Sequence, residues 1–160
     1  MGRATNSTRI ISAGFPRSGN KFLNDLLSQG FPGRVDDFTH SVHTLEIPNC
    51  VVPIRSPYQS VPSWSAFSGE QDLEAIAKWY MRFNTKILDR IDNLIVIDFI
   101  ELSTNPLSIV EKVSNYLGLI SKKIDTSVLN KNSKFKEYKE YNSPLIKDCY
   151  ELYKEILNKL

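Results

Sequence analysis

The sequence predicts an α/β fold in which a parallel sheet is covered by helices. Three observations carry that expectation. Short, wholly apolar runs alternate along the chain with longer segments whose apolar residues recur at helical spacing. The runs lack the in–out alternation of a half-exposed sheet, so both faces of each should be covered. A turn packed with Gly, Pro and Ser joins the first run to the first helix, and it is at such strand ends that parallel sheets collect ligands.

Residues 9–14, RIISAG, read as a short buried strand ending in a turn. Residues 20–29 place Phe22, Leu23, Leu26 and Leu27 on one helical face, with Gly30 as the stop. Residues 34–46 read as a loop with room for a short strand, and they hold both histidines. Residues 50–55, CVVPIR, form a second buried strand, and Ser63 should lie one or two turns into the helix after it. Residues 72–89 read as a long amphipathic helix, and 93–99, NLIVIDF, as the clearest strand. NPLSIVEKVSNYLG then has Asn105 as cap, Pro106 in the first turn and Gly118 as stop. Residues 144–160 should form a terminal amphipathic helix. One domain over 1–160 is expected, with a core at about 9–119 and a C-terminal helical segment at 120–160.

Composition narrows the partners. A 41% hydrophobic and 24% charged chain of 160 residues is globular and can bury a core. A net charge of +2 makes no global field that selects nucleic acid, so any anion site must be local. The absence of a long apolar run excludes a membrane span, and the first ten residues lack a secretory core. Met1-Gly2 with Ser7 only loosely matches an acylation start. Cys50 and Cys149 have no metal-ligand spacing, which favours a reducing compartment and a cytoplasmic location.

Gly14 and Gly19 stand in the G-x-x-x-x-G frame of a phosphate-binding loop. Asn20 occupies the position of the nucleotide-binding lysine, and Lys21 that of the Ser or Thr that holds magnesium. A loop closing on a helix N-terminus aims backbone N–H groups and a partial positive charge at an anion. Arg17 and Lys21 can add charge-assisted hydrogen bonds. A plain strand-to-helix turn with surface cations is the blander reading. Arg55 ends a buried strand, where a cation needs an anion, and Ser63 follows eight residues later. Taken alone, that pair is better read as a structural ion pair and a surface Ser.

Together these segments resemble the sulfotransferases that use 3′-phosphoadenosine 5′-phosphosulfate (PAPS). GFPRSGNKFL is similar to their 5′-phosphosulfate loop, and VVPIRSPYQSVPSW to their 3′-phosphate segment. LIVIDFIELSTNPLSIVEKVSNYLGL is similar to a later strand and helix, and the three blocks occur in family order. The resemblance implies a minimal sulfotransferase-like member of the P-loop nucleotide-binding fold. It implies that Arg17, Ser18, Gly19, Asn20, Lys21 and Phe22 hold the 5′-phosphosulfate, and that Arg55 and Ser63 hold the 3′-phosphate. Arg17 would be an electrostatic clamp, because a guanidinium keeps its proton. The product would be adenosine 3′,5′-bisphosphate. Such a transfer requires no metal, which explains the lost magnesium hydroxyl.

Departures accompany the likeness. The family's C-terminal Arg-Lys-Gly string is missing, and Lys134 or Lys136 is a candidate to assist in its place, against a solvated lysine face. The chain is short, with few residues for acceptor-binding helices. Taking a proton from the acceptor hydroxyl calls for a base, and His40, His43 and then Glu46 are the candidates. Thr39-His40 matches the family's pattern better than His43, although both histidines can equally be plain loop residues. Two alternatives remain: a P-loop small-molecule kinase with Asp98 on the metal, and a non-catalytic nucleotide-binding relative. The acceptor hydroxyl or amine and the oligomeric state are not written in the sequence.

Overall fold

A computed structural model of the chain describes residues 8–129 and 141–160. Met1, Gly2, Ser7, Lys134 and Lys136 lie outside the described residues. Among the described residues, strands β1 (Val51–Ile54) and β2 (Ile95–Asp98) pair in parallel, with Val51 opposite Ile95 and Ile54 opposite Asp98. The helices are α1 (Asn20–Gly30), α2 (Pro57–Ser68), α3 (Leu73–Asp89), α4 (Phe99–Thr104), α5 (Pro106–Leu117) and α6 (Pro144–Leu157). Helix dominates, and the parallel sheet is small.

The expected first strand is present as an extended segment held by isolated parallel bridges. Ser12 pairs with Val51, Ile10 with Val35, and Ala13 with Thr39. The Ala13 N–H donates to the Val51 carbonyl at 3.1 Å, and the Gly14 N–H to the Thr39 carbonyl at 3.1 Å. Residues 10–14 therefore lie between residues 35–39 and β1, all in parallel.

Alternation of side chains explains why apolar runs build these strands. Val52, Ile54 and Val96 enter one buried cluster, completed by Tyr80 and Phe83 of α3 and Ile146, Cys149 and Ile156 of α6. Val51, Ile95 and Ile97 enter a second, with Leu23 and Leu27 of α1 and Ile109 and Val113 of α5. Both faces are covered, as a continuous apolar run requires.

Helix ends follow local chemistry, with three departures from expectation. Asp72 caps α3 by accepting from the Ala75 N–H at 3.0 Å, and Ser143 caps α6 through Ile146 N–H at 3.3 Å. Gly118 ends α5 in the left-handed region at φ 63°, as expected. Gly30 ends α1 as its last helical residue and not in a left-handed turn, and a Cβ there would crowd Val110 Cγ1 of α5 at 3.1 Å. Asn105 stands at the cap position of α5 without a side-chain cap bond. Phe99 leaves the strand and begins α4, because Asp98 turns the chain by accepting from the Ile100 N–H at 3.3 Å.

Candidate functional site

Three chain segments meet at the carboxyl ends of the strands: the loop 14–19, Arg55 after β1, and Asp98–Phe99 after β2. The loop closes on α1, whose cap residue Gly19 is left-handed at φ 91° and whose N-terminus has no side-chain cap. The first-turn N–H groups of a helix have no intrahelical acceptor, so this end presents donors and partial positive charge.

Gly14 and Gly19 serve the protein rather than open space. A Cβ on Gly14 would meet Asn20 Oδ1 and, at 2.9 Å, Pro53 Cγ; one on Gly19 would meet Phe99 Cδ2 at 2.9 Å. The loop is thus pressed onto β1 and α4, which fixes where its donors point. Ser18 and Asn20 are buried. Asn20 donates from Nδ2 to the Phe15 carbonyl at 2.9 Å, which ties the helix start to the loop, while its buried Oδ1 has no hydrogen-bond partner among the described residues.

Arg17 is held in the left-handed region at φ 66°, which costs an L-residue of its size about 1–2 kcal/mol. Its neighbours hold it there. Arg55 Nη1 donates to the Arg17 carbonyl at 3.0 Å, and Arg17 Nε donates to Ser63 Oγ at 3.0 Å. The Arg55 guanidinium thus meets the Arg17 backbone, while the Arg17 guanidinium turns to α2. Arg55 lies 4.1 Å over the Phe99 ring, donates from Nε to Gln59 Oε1 at 3.0 Å, and its carbonyl accepts from Tyr80 OH at 2.8 Å. Burial pushes the Tyr80 phenol well up, so it stays a neutral donor.

The structure brings together Arg17, Ser18, Gly19, Asn20, Arg55 and Ser63. Lys21 differs: on the exposed side of α1 it pairs with Asp25 at 2.9 Å. Phe22 is half-buried against the α1–α5 cluster. The candidate bases separate. His40 Nδ1 lies 2.8 Å from the Gly14 carbonyl and must donate to it, which leaves Nε2 as the acceptor. His43 is exposed and lines a hollow with Glu46, Met81 and Lys86. Glu46 pairs there with Lys86 and, at 3.4 Å, with Arg90. The Lys86 hydrogen bond holds the Glu46 carboxyl below its ordinary range, which weakens it as a base.

Sequence reasoning missed Phe99, Phe67 and Gln59, which support the two arginines; their types and spacing carry no signal apart from ordinary core and helix residues. Asp98, which the kinase alternative would set on a metal, caps α4 and accepts from Tyr153 OH at 3.2 Å through the same Oδ1. Burial, then the Asp98 charge, pushes the Tyr153 phenol up. Among the described residues, no group of three His, Cys, Asp or Glu side chains could hold a metal ion, and no helix is long and apolar enough to cross a membrane.

No family model and no curated protein matches the chain. Among solved structures, the sulfotransferase domain of the Synechococcus PCC 7002 olefin synthase is similar, with a TM-score of 0.56 at 12% identity. The similarity covers 92% of this chain and 83% of that one. At that identity the likeness speaks for the fold. The chain has a sulfotransferase-like fold.

Proposed function

We propose that the chain is a sulfotransferase that moves a sulfuryl group from PAPS to the hydroxyl, or amine, of an acceptor. One observation carries the reading: Arg17, Arg55 and Ser63 interlock at the uncapped N-terminus of α1, in a sulfotransferase-like fold. Two guanidinium groups, a hydroxyl and the first-turn backbone donors of a helix suit a nucleotide with phosphates at both ends. Arg17 and the α1 donors would hold the 5′-phosphosulfate and take up charge on its bridging oxygen as the sulfuryl group leaves. Arg55 and Ser63 would hold the 3′-phosphate. Lys21 would join by leaving Asp25, a bond that is weak on an exposed surface. His40 would take the acceptor proton on Nε2 while Gly14 holds the other nitrogen.

Calorimetry with adenosine 3′,5′-bisphosphate, set against ATP with magnesium, tests the nucleotide. Tight, magnesium-independent binding of the bisphosphate is expected. Preference for magnesium ATP would replace this reading with the kinase, and binding without turnover on any hydroxyl acceptor would leave a non-catalytic relative.

A further inference from the structure

We infer that Tyr153 of α6 is a positioning residue for the nucleotide site, acting through Asp98 on the ring of Phe99; the inference rests on the sulfotransferase reading above. Phe99 supports both arms of that site. The Arg55 guanidinium lies 4.1 Å over its ring, and a Cβ on Gly19 would meet its Cδ2 at 2.9 Å. The cation therefore rests on the face of the ring and the loop on its edge. A shift of this one ring would move both the loop meant for the 5′-phosphosulfate and the arginine meant for the 3′-phosphate.

Asp98 fixes where the ring stands. It leaves β2 in extended geometry at ψ 130°, and Phe99 opens α4 directly after it. Asp98 Oδ1 accepts from the Ile100 N–H at 3.3 Å, which sets the turn into α4. The same oxygen accepts from Tyr153 OH at 3.2 Å, which ties the turn to α6. Two donors that converge on one oxygen hold the carboxylate in the rotamer that serves both.

The hydroxyl is the part of Tyr153 that packing does not need. Its ring is buried in the core that α6 shares with α3 and β1, and a phenylalanine would fill the same place. A phenol oxygen taken out of water costs free energy unless it is bonded, so its presence there calls for the Asp98 partner. Burial first, and then the Asp98 carboxylate, push the phenol up and keep it a neutral donor, while Arg55 is near enough to pull the other way. The route from α6 to the cation is thus short: Tyr153 OH, Asp98, Phe99, Arg55.

Calorimetry of adenosine 3′,5′-bisphosphate binding to the whole chain tests the relay, at a temperature where every variant is folded. Tyr153→Phe should weaken the bisphosphate about fivefold, the worth of one hydrogen bond, with Tm nearly unchanged. Tyr150→Phe is the control: its ring lies 6.0 Å from that of Tyr153 on the same helix, and loss of its hydroxyl should leave the parent affinity. Asp98→Ala should also weaken binding, and adding Tyr153→Phe to it should cost nothing more. Asp98→Asn keeps an oxygen for both donors and should recover most of what Asp98→Ala loses. Parent affinity in Tyr153→Phe, an equal loss in Tyr150→Phe, or a full further loss on top of Asp98→Ala would each overturn the relay and leave the sulfotransferase reading standing. Should Asp98→Ala fail to fold, the two tyrosine variants decide by themselves. Failure of the parent chain to bind the bisphosphate would remove both.

Discussion

The imidazole of His40 holds its Nδ1 against a backbone carbonyl, and this decides which nitrogen can accept a proton. His40→Ala should therefore lower turnover by about 10²–10⁴-fold with little change in bisphosphate affinity, read by steady-state kinetics beside calorimetry. Near-full turnover in that variant would move the role to His43. Arg55 carries a separate expectation, since its Nη1 clamps the loop and its stem rests on Phe99. Arg55→Ala should weaken adenosine 3′,5′-bisphosphate by about 2 kcal/mol and adenosine 5′-phosphate far less. Equal losses would show that Arg55 shapes the loop without reading the 3′ group. The Arg–Ser spacing was legible in the sequence because Pro57 opens α2 and fixes where Ser63 falls. Phe99 and Phe67 were not legible, because an aromatic ring under a guanidinium looks in sequence like any other core or surface ring.

Among the elements, the 3₁₀ turn Val42–Glu46 shows how a short piece is held by its neighbour. Arg90 Nε donates to the Leu45 carbonyl at 3.1 Å, and Glu46 pairs with Lys86 and Arg90 at the end of α3. The Lys86 hydrogen bond lowers the folded-state pKa of Glu46 below its unfolded value. A depressed carboxylate stabilises the fold above the unfolded pKa, and that contribution fades as pH falls through the folded one. Glu46→Gln should thus lower Tm slightly near neutrality, and the gap from the parent should close below the ordinary carboxylate range. Thermal melts down a pH series measure it, and a gap that persists in acid would contradict the tether. At this scale the helices were readable from periodicity and caps, Asp72 before α3 most plainly. The extended segment at residues 35–39 was readable only as room for a short strand within a loop. Asp36, Asp37 and Thr39 break its apolar pattern, and its order comes from backbone bonds to residues 10–14 that sit far back in the chain.

Over the whole molecule, the two faces of the sheet make two cores of different build. The α1–α5 cluster is closed by residues before position 130, whereas the other needs Ile146, Cys149, Tyr153 and Ile156 of α6. Cys50 and Cys149 are both free and fully buried in that second core, and burial pushes each thiol up to about 11. A thiolate reagent should label neither in the native protein and both in denaturant, with labelling kinetics that follow unfolding of this core. Fast labelling of Cys149 alone would mean that α6 detaches without the rest. The late arrival of α6 also bears on synthesis. On the ribosome, β1, α2, α3 and β2 emerge with one sheet face covered by α3 but not yet by α6, and the cover stays incomplete until residues 144–157 clear the exit tunnel. Throughout that interval the nascent chain shows an apolar surface that chaperones bind and proteases find, so a pause in translation before Pro144 prolongs its most vulnerable state.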